Sequence, residues 1–388
     1  MSTAIALLSG KGGSGKTTLA LSMADLLSKC GVQTLLVDCD LSTNGATYFY
    51  EARLTEQKEK RKFKLYSLTD LLRASDCTGD LVPINVESEL DFFPSISEIS
   101  DRYLTEETVF RGYNQEPQIQ KLLSWARSKY EVILFDCQAG YTELLPMLLP
   151  LMDVDLFVLE ADSISASAMR SLHLKIGSVI SRARLYQVFN KTTPEEFNIY
   201  SKIVGTFFTN IGTLLFDWKI RQAFSRSQVP NIESTSAEYG LDLCDICKIL
   251  LSSKTIQEKL EHLSSRLHYQ RLEEERRQTE EALYNVTSTQ GPSRRYILLS
   301  CCTGIIILLG MFIAFYIVRD DLHLINDYIA LFFTLIAATI MVVNSILLRY
   351  IGVSDGKRKE QQKYSRKLSD IEKELKRLDH ILQNNTID

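Results

Sequence analysis

The chain has 388 residues, 24% of them charged, and a formal net charge of −4, enough length for two or three domains and no global basic field for nucleic acid. Its eight cysteines, Cys30, Cys39, Cys77, Cys137, Cys244, Cys247, Cys301 and Cys302, follow no disulfide spacing, so a reducing compartment is expected. The N-terminus runs directly into the apolar stretch AIALLS, with no basic region and no small-residue cleavage site, which argues against a secretory signal.

From residue 1 to about 250, short apolar runs alternate with helical stretches, the pattern of an α/β domain built on a mainly parallel sheet. The strand candidates are AIALLS, TLLVD, VILFD, LFVLE, YQVFN and IVGTFF; they do not alternate, as expected of strands covered on both faces. The first is followed by SGKGGSGKTT (Ser9 to Thr18) and then by the helical pattern TLALSMADLLSK. Gly10, Gly15, Lys16 and Thr17 fit the phosphate-loop spacing GxxxxGK(S/T). The glycines of this loop, Gly10, Gly12, Gly13 and Gly15, together with Ser14, let the backbone wrap an anion. The helix start at Lys16, Thr17 and Thr18 turns free N–H groups inward, Lys16 reaches the β and γ phosphates, and Thr17 ligates Mg²⁺. TLLVDCD ends with Asp38 and Asp40, two carboxylates whose mutual repulsion calls for Mg²⁺ or ordered water between them.

Leu41 to Leu123 is more polar, with helices and a long excursion near the nucleotide expected there. In LCDICK, Cys244 and Cys247 have CxxC spacing on the last helix of the domain. Core packing is the first reading and an iron-sulfur cluster between subunits the second. Beyond Ser252 the composition becomes charge-rich helix, with Ile256, Leu260, Leu263 and Leu267 on one stripe, giving a helical stalk over 251–293.

Two uncharged runs follow, 296–318 and 328–348, each about 30 to 35 Å long as a helix against a hydrocarbon core of about 30 Å. They define an expected two-span transmembrane hairpin over 294–350. Arg294, Arg295, Arg349, Lys357, Arg358 and Lys359 flank it, and the connecting loop RDDLHLIND is acidic. The expected placement is therefore multi-pass in the inner membrane, with N- and C-terminal regions in the cytoplasm. Gly291 and Pro292 on one side and Gly352 and Gly356 on the other are expected to break the helices. Tyr364, Leu368, Ile371, Leu375, Leu378 and Leu382 then hold a 4-3 spacing that gives a cytoplasmic coiled-coil tail over 357–385. That tail either pairs with the first arm or packs on the first domain or a partner.

KGGSGKTT, with Lys11 ahead of Gly12 and Gly13, resembles the deviant Walker A motif of the ParA/MinD family of ATPases; the likeness covers about residues 1–250 in order and is loose over 48–122, through LTDLL and DFFPS. The resemblance implies ATP and Mg²⁺ as ligands and a nucleotide-sandwich homodimer in which Lys11 reaches the partner's phosphates. It also implies that Asp40 positions the attacking water, that Asp136 in YEVILFDCQAG holds Mg²⁺ through water, that Asn190 in YQVFNK contacts the adenine edge, and that the chain near Pro230 lines the base pocket. The family's usual residues after the Walker B aspartate are replaced by Cys137, Gln138 and Ala139. The catalytic set is thus Lys11, Lys16 and Asp40, and the metal set Thr17, Asp38 and Asp136.

The expected activity is slow Mg²⁺-dependent ATP hydrolysis that switches self-association, up to a dimer or a higher oligomer, or recruitment of an unidentified protein partner at the lipid bilayer. The alternative is a nucleotide-gated membrane scaffold, for example in defence or envelope assembly, whose output is dimerisation rather than turnover. A polysaccharide-export-type tyrosine kinase would have its spans before the nucleotide domain and a terminal tyrosine cluster, whereas here the order is reversed and the tail holds only Tyr364. Nucleic acid is not an expected partner, since lysines are scattered and no aromatic-basic interleaving is present.

Overall fold

The computed structural model describes residues 2–57, 64–74, 80–97, 109–110, 115–180, 184–193, 195–199, 208–232, 235–288, 309–310, 312–313 and 325–384. Ten strands are formed among them: β1 Thr3–Leu8, β2 Thr34–Cys39, β3 Lys64–Leu65, β4 Asp80–Leu81, β5 Ile84–Glu87, β6 Leu90–Phe93, β7 Val132–Cys137, β8 Val154–Leu159, β9 Arg184–Thr192 and β10 Thr209–Leu215. Eight of them make one sheet in the order β10-β9-β8-β1-β7-β2-β6-β5, while β3 and β4 pair separately. Among the described residues β5 runs antiparallel to β6 and every other pairing is parallel.

The absence of alternation in the strand sequences has its cause in two apolar layers. Ile5, Leu7, Leu36, Leu134 and Leu156 face one layer, and Ala4, Ala6, Leu35, Ile133 and Phe157 face the other. Helices Lys16–Lys29 and Ala237–Leu250 cover the first face. Helices Leu68–Arg73, Glu116–Arg127 and Ser163–Ile176 cover the second. Burial of each such Leu or Ile is worth about 1.5 to 3 kcal/mol. Cys244 and Cys247 lie fully buried in the first layer, where burial pushes the Cys244 thiol up to about 12 and the Cys247 thiol well above its ordinary range. Thiols this inert are packing groups.

The chain divides into two compact units, one comprising Met1–Arg271 and the other Leu272–Asn384. The stripe Ile256, Leu260, Leu263 and Leu267 belongs to the core of the first unit, so the first turns of the helix Lys254–Ser288 pack with the sheet domain. In the second unit, Lys367 Nζ lies 2.8 Å from Glu275 Oε1, and Ile371, Leu375 and Leu378 of the tail are buried.

Several expectations for the C-terminal third change. The helix Ile325–Asn384 runs unbroken for 60 residues through Gly352 and Gly356. A glycine costs a helix only about 1 kcal/mol, too little to end one of this length. The first apolar run, 296–318, lies outside the described residues except at 309–310 and 312–313. The second, 328–348, is the opening part of that long helix, which continues into a strongly charged stretch. Among the described residues no helix is long and apolar enough to cross a membrane. This overturns the expected multi-pass placement in the inner membrane. The count of uncharged residues treated 328–348 as a bounded segment, which the structure does not. The candidate strand IVGTFF lies, apart from Phe208, outside the described residues; the edge strand is TNIGTLL, immediately after it.

β8 carries one polar residue in its buried centre. Asp155 is fully buried and neither carboxylate oxygen has a hydrogen-bond partner, so burial pushes its pKa up to about 7. An unfolded aspartate titrates near 3.9, so the folded state holds this proton more tightly. The contribution of Asp155 to stability is therefore most favourable below about pH 4 and declines as pH rises toward 7. Asp155→Asn is expected to stabilise the protein by roughly 2 to 4 kcal/mol at pH 8 and by much less at pH 4.5. Thermal unfolding at the two pH values checks this; equal shifts at both would refute it.

Candidate nucleotide site

β1 ends at Leu8, and the chain turns through Ser9–Gly15 into the helix that begins at Lys16. Gly15, the residue before this helix, has φ +84° and ψ +20°, a left-handed conformation that glycine adopts without strain. A side chain there would run into the carboxamide of Asn190. Gly10 is fixed by proximity instead, since a Cβ would strike the backbone of Ala168. No side chain caps the helix start, so its first N–H groups are left for an anion.

The loop forms one wall of a cavity of about 780 Å³. Lys11 through Thr18 line it. So do Asp40, Ser42 and Thr43 after β2, Gln138 and Ala139 after β7, and Asn190 and Lys191 in β9. Ligands of open α/β sheets bind at this carboxyl edge of the parallel strands.

Lys16 is 6% exposed and its Nζ lies 2.8 Å from Oδ1 of the fully buried Asp136. Burial works against the ammonium, but Asp136, with a smaller contribution from Asp40, carries the lysine pKa above its ordinary value. The second Asp136 oxygen, Oδ2, is buried without a partner, as is Oε1 of Gln138. An unused buried carboxylate oxygen, together with Thr17 on the cavity wall, fits a hydrated divalent cation. Among the described residues no group of three His, Cys, Asp or Glu side chains is arranged to hold a metal unaided.

Asp38 fits the expected metal role poorly. Its Oδ2 accepts from Thr47 N at 2.8 Å, Thr47 Oγ1 at 2.7 Å and Ser95 Oγ at 3.3 Å, and its Oδ1 accepts from Asp40 N at 3.0 Å. Burial first, and the neighbouring Asp136 second, push its pKa up to about 7. Asp38 organises the loop after β2. Asp40 is held by that loop: Oδ1 accepts from Ser42 N and Thr43 N at 3.1 and 2.8 Å, and Oδ2 from Thr43 Oγ1 at 2.6 Å.

Lys11 is bound within its own subunit, 2.9 Å from both Glu160 Oε2 and Asp162 Oδ2. Glu160 also meets Lys191 Nζ at 3.1 Å, and Lys191 Nζ reaches the Gly13 carbonyl. Burial opposes these charges, but hydrogen bonds prevail: those to Glu160 and Asp162 raise the Lys11 pKa, those from Lys11 and Lys191 lower that of Glu160, and the Ser165 amide, followed by Lys11, lowers that of Asp162. Asn190 Nδ2 donates to Ser14 O at 2.9 Å, so this side chain braces the loop. Pro230 is buried and stands outside the cavity lining.

The sequence reading missed Lys191, Glu160, Asp162, Phe216, Arg221 and Phe224. Glu160 follows LFVLE's strand by one residue, and Asp162 caps the next helix by accepting from Ser165 N at 2.7 Å. A carboxylate at the carboxyl end of a parallel strand was the available signal.

Comparison with known proteins places the first half of the chain. Residues 2–187 match the family model described as "AAA domain". An uncharacterized protein of Methanocaldococcus jannaschii is 26% identical over 132 residues, 34% of this chain and 49% of that protein. A protein of Sinorhizobium fredii described as a replication protein A is 26% identical over 146 residues, 35% of each. The chain thus spans about half the length of the first curated relative and about a third of the second. Among solved structures, the MinD cell division protein of Aquifex aeolicus is similar at 19% identity and a TM-score of 0.49, over 65% of this chain and 98% of that one. A plasmid partition protein of Borrelia burgdorferi B31, bound to AMPPNP, is similar at 18% identity and a TM-score of 0.48, over 67% and 96%.

Lys16→Met should leave Asp136 buried without its cation and lower stability by about 3 to 5 kcal/mol. Adding Asp136→Asn should recover a large part of that loss. Denaturant unfolding of both proteins checks the pair, and a single variant as stable as wild type would contradict it.

Proposed function

We propose that the chain is an ATPase of ParA/MinD type that binds ATP with Mg²⁺ in the cavity around the Ser9–Thr18 loop and uses the nucleotide to control its own association. The observation that carries this reading is the state of Lys11. A loop lysine placed as a phosphate ligand is instead held by Glu160 and Asp162 at the rim, with 27% of its side chain exposed, where a second subunit has access to it. Lys16 serves the subunit's own phosphates and Lys11 those of a partner copy.

In this reading the glycine backbone and the uncapped helix start cradle the phosphates, and Thr17 and the free oxygen of Asp136 hold the cation shell. Mg²⁺, when bound, neutralises charge on the transferring phosphoryl group. Lys16 moves from Asp136 to the phosphates, and Asp40, already oriented by Ser42 and Thr43, aligns the attacking water. Positioning and electrostatics supply the rate, so turnover is slow until a second subunit adds Lys11. The output is a nucleotide-dependent homodimer and the recruitment of a protein partner by that form.

Lys11→Ala should bind ATP as wild type does yet neither dimerise on ATP nor hydrolyse it, and Asp40→Ala should accumulate as an ATP-bound dimer. Sedimentation with and without ATP, paired with phosphate release, reads both. A Lys11→Ala protein that still dimerises and turns over would sink the proposal.

A further inference from the structure

The segment after β7 holds a polar side chain on the cavity wall to which the nucleotide reading gives no task. Strands β2 and β7 are adjacent and parallel, with Asp38 beside Asp136 and Cys39 beside Cys137. Both cysteines are buried in the second apolar layer, on the sheet face opposite the Lys16–Lys29 helix. Alternation carries the next residues outward, Asp40 and Gln138, to the other side, and both line the cavity together with Lys16. The turn that follows is fixed: Gly140, at φ +82°, donates its N–H to Ser9 O at 2.8 Å, which ties the Gln138 segment to the start of the phosphate loop.

Gln138 Oε1 is buried and has no hydrogen-bond partner. A carboxamide oxygen only accepts, and so do the oxygens of a bound triphosphate and of the Asp40 carboxylate. The lysines of the cavity are engaged, Lys16 by Asp136 and Lys191 by Glu160 and the Gly13 carbonyl. A water molecule supplies the donor that this oxygen needs. Beside it, Asp40 Oδ2 accepts from Thr43 Oγ1 at 2.6 Å, which leaves it capacity for a second donor. Two acceptors at neighbouring strand ends thus match the two hydrogens of one water. Holding both hydrogens directs the lone pairs of that water in a single orientation.

We infer that Gln138 is a catalytic residue of the hydrolysis proposed above, accepting one hydrogen of the attacking water while Asp40 accepts the other. The inference rests on that ATPase reading and deepens it. In the step, the water oxygen bonds to the γ phosphorus as the bond from that phosphorus to the β–γ bridging oxygen breaks. The bridging electron pair leaves with ADP. Both protons of the water go with the phosphoryl group, which is released as dihydrogen phosphate and then loses one proton to solvent. Gln138 is one of the residues at which the sequence departs from the ParA/MinD pattern, so this role belongs to the present chain.

The test compares the full-length wild type with Gln138→Met, which keeps the side-chain length and removes the acceptor. Three quantities are measured with Mg²⁺: calorimetric affinity for AMPPNP, calorimetric affinity for ADP with aluminium fluoride as a mimic of the transferring phosphoryl group, and the single-turnover rate of ATP hydrolysis. The variant should bind AMPPNP within about threefold of wild type, hydrolyse ATP about 100-fold more slowly, and lose affinity for the aluminium fluoride complex by a comparable factor. Gln138→Ala should show the same split, and retained AMPPNP binding certifies that each variant is folded. A rate within about fivefold of wild type would overturn the inference. So would an AMPPNP affinity that falls as far as the rate, or a slow rate restored by raising Mg²⁺, which would assign Gln138 to the water shell of the cation instead. Wild type that hydrolyses ATP while the variants match it leaves the ATPase reading standing without Gln138. Wild type that neither binds AMPPNP nor hydrolyses ATP removes the ATPase reading itself.

Discussion

At the carboxyl ends of β2 and β7, Asp38 and Asp136 are register partners in a fully buried part of the sheet, and the Lys16 ammonium, 2.8 Å from Asp136, is the cation that opposes them. Two carboxylates cannot both stay charged at this separation in a dry interior. The fold answers in two ways. Asp38 is bound by Thr47, Ser95 and the Asp40 amide, with its proton affinity raised, and Asp136 is neutralised by the lysine. The loop geometry follows from this demand: Gly15 must turn left-handed over Asn190 so that Lys16 enters at this depth. In the proposed nucleotide reading, a triphosphate competes with Asp136 for that lysine, which couples nucleotide binding to the release of a carboxylate oxygen.

The second lysine obeys a different balance. Lys11 and its two carboxylate partners are each about a quarter to a third exposed, and ion pairs in such settings contribute about 0 to 1 kcal/mol. Lys16 is locked by burial, while Lys11 is held loosely enough to be taken by a stronger anion. That weak restraint is what the proposed role of Lys11 at a partner's phosphates requires. Glu160 adds a constraint of its own, since it holds Lys191 as well and so joins the loop to the end of β9.

The parts of the fold legible in the sequence were those set by local pattern. The loop spacing, the four central strands and the placement of Asp40 and Asp136 at strand ends all follow from short windows. Tertiary packing decided the rest. Nothing around LFVLE says that Glu160 and Asp162 will meet Lys11, because their partner lies about 150 positions earlier. The resemblance put Pro230 near the base; in the structure it is buried away from the cavity lining, beside a segment tied down by Asp25, which accepts from Ile232 N at 2.7 Å. The stripe Ile256 to Leu267 and the run 328–348 share a lesson. Apolar periodicity shows that a face will be covered, and length shows how far it extends, but neither names the cover.

Asp25 also links the site to the rest of its unit. It sits on the helix that begins at Lys16, it holds Lys29 at 2.9 Å as well as Ile232, and burial raises its pKa despite those partners. At the far end of the same helix, Lys259 Nζ donates to Gly31 O at 2.6 Å, and Leu267 packs so closely on Gly240 that a Cβ there would meet it at 2.9 Å. The Lys16–Lys29 helix thus touches the phosphate loop at its start, the segment after Pro230 at its middle, and the helix beginning at Lys254 at its end. Lys16 therefore heads a helix whose backbone is fixed through Asp25 to Ile232 and, just beyond its end, through Gly31 to Lys259, so the phosphate loop is anchored on the core of its own unit.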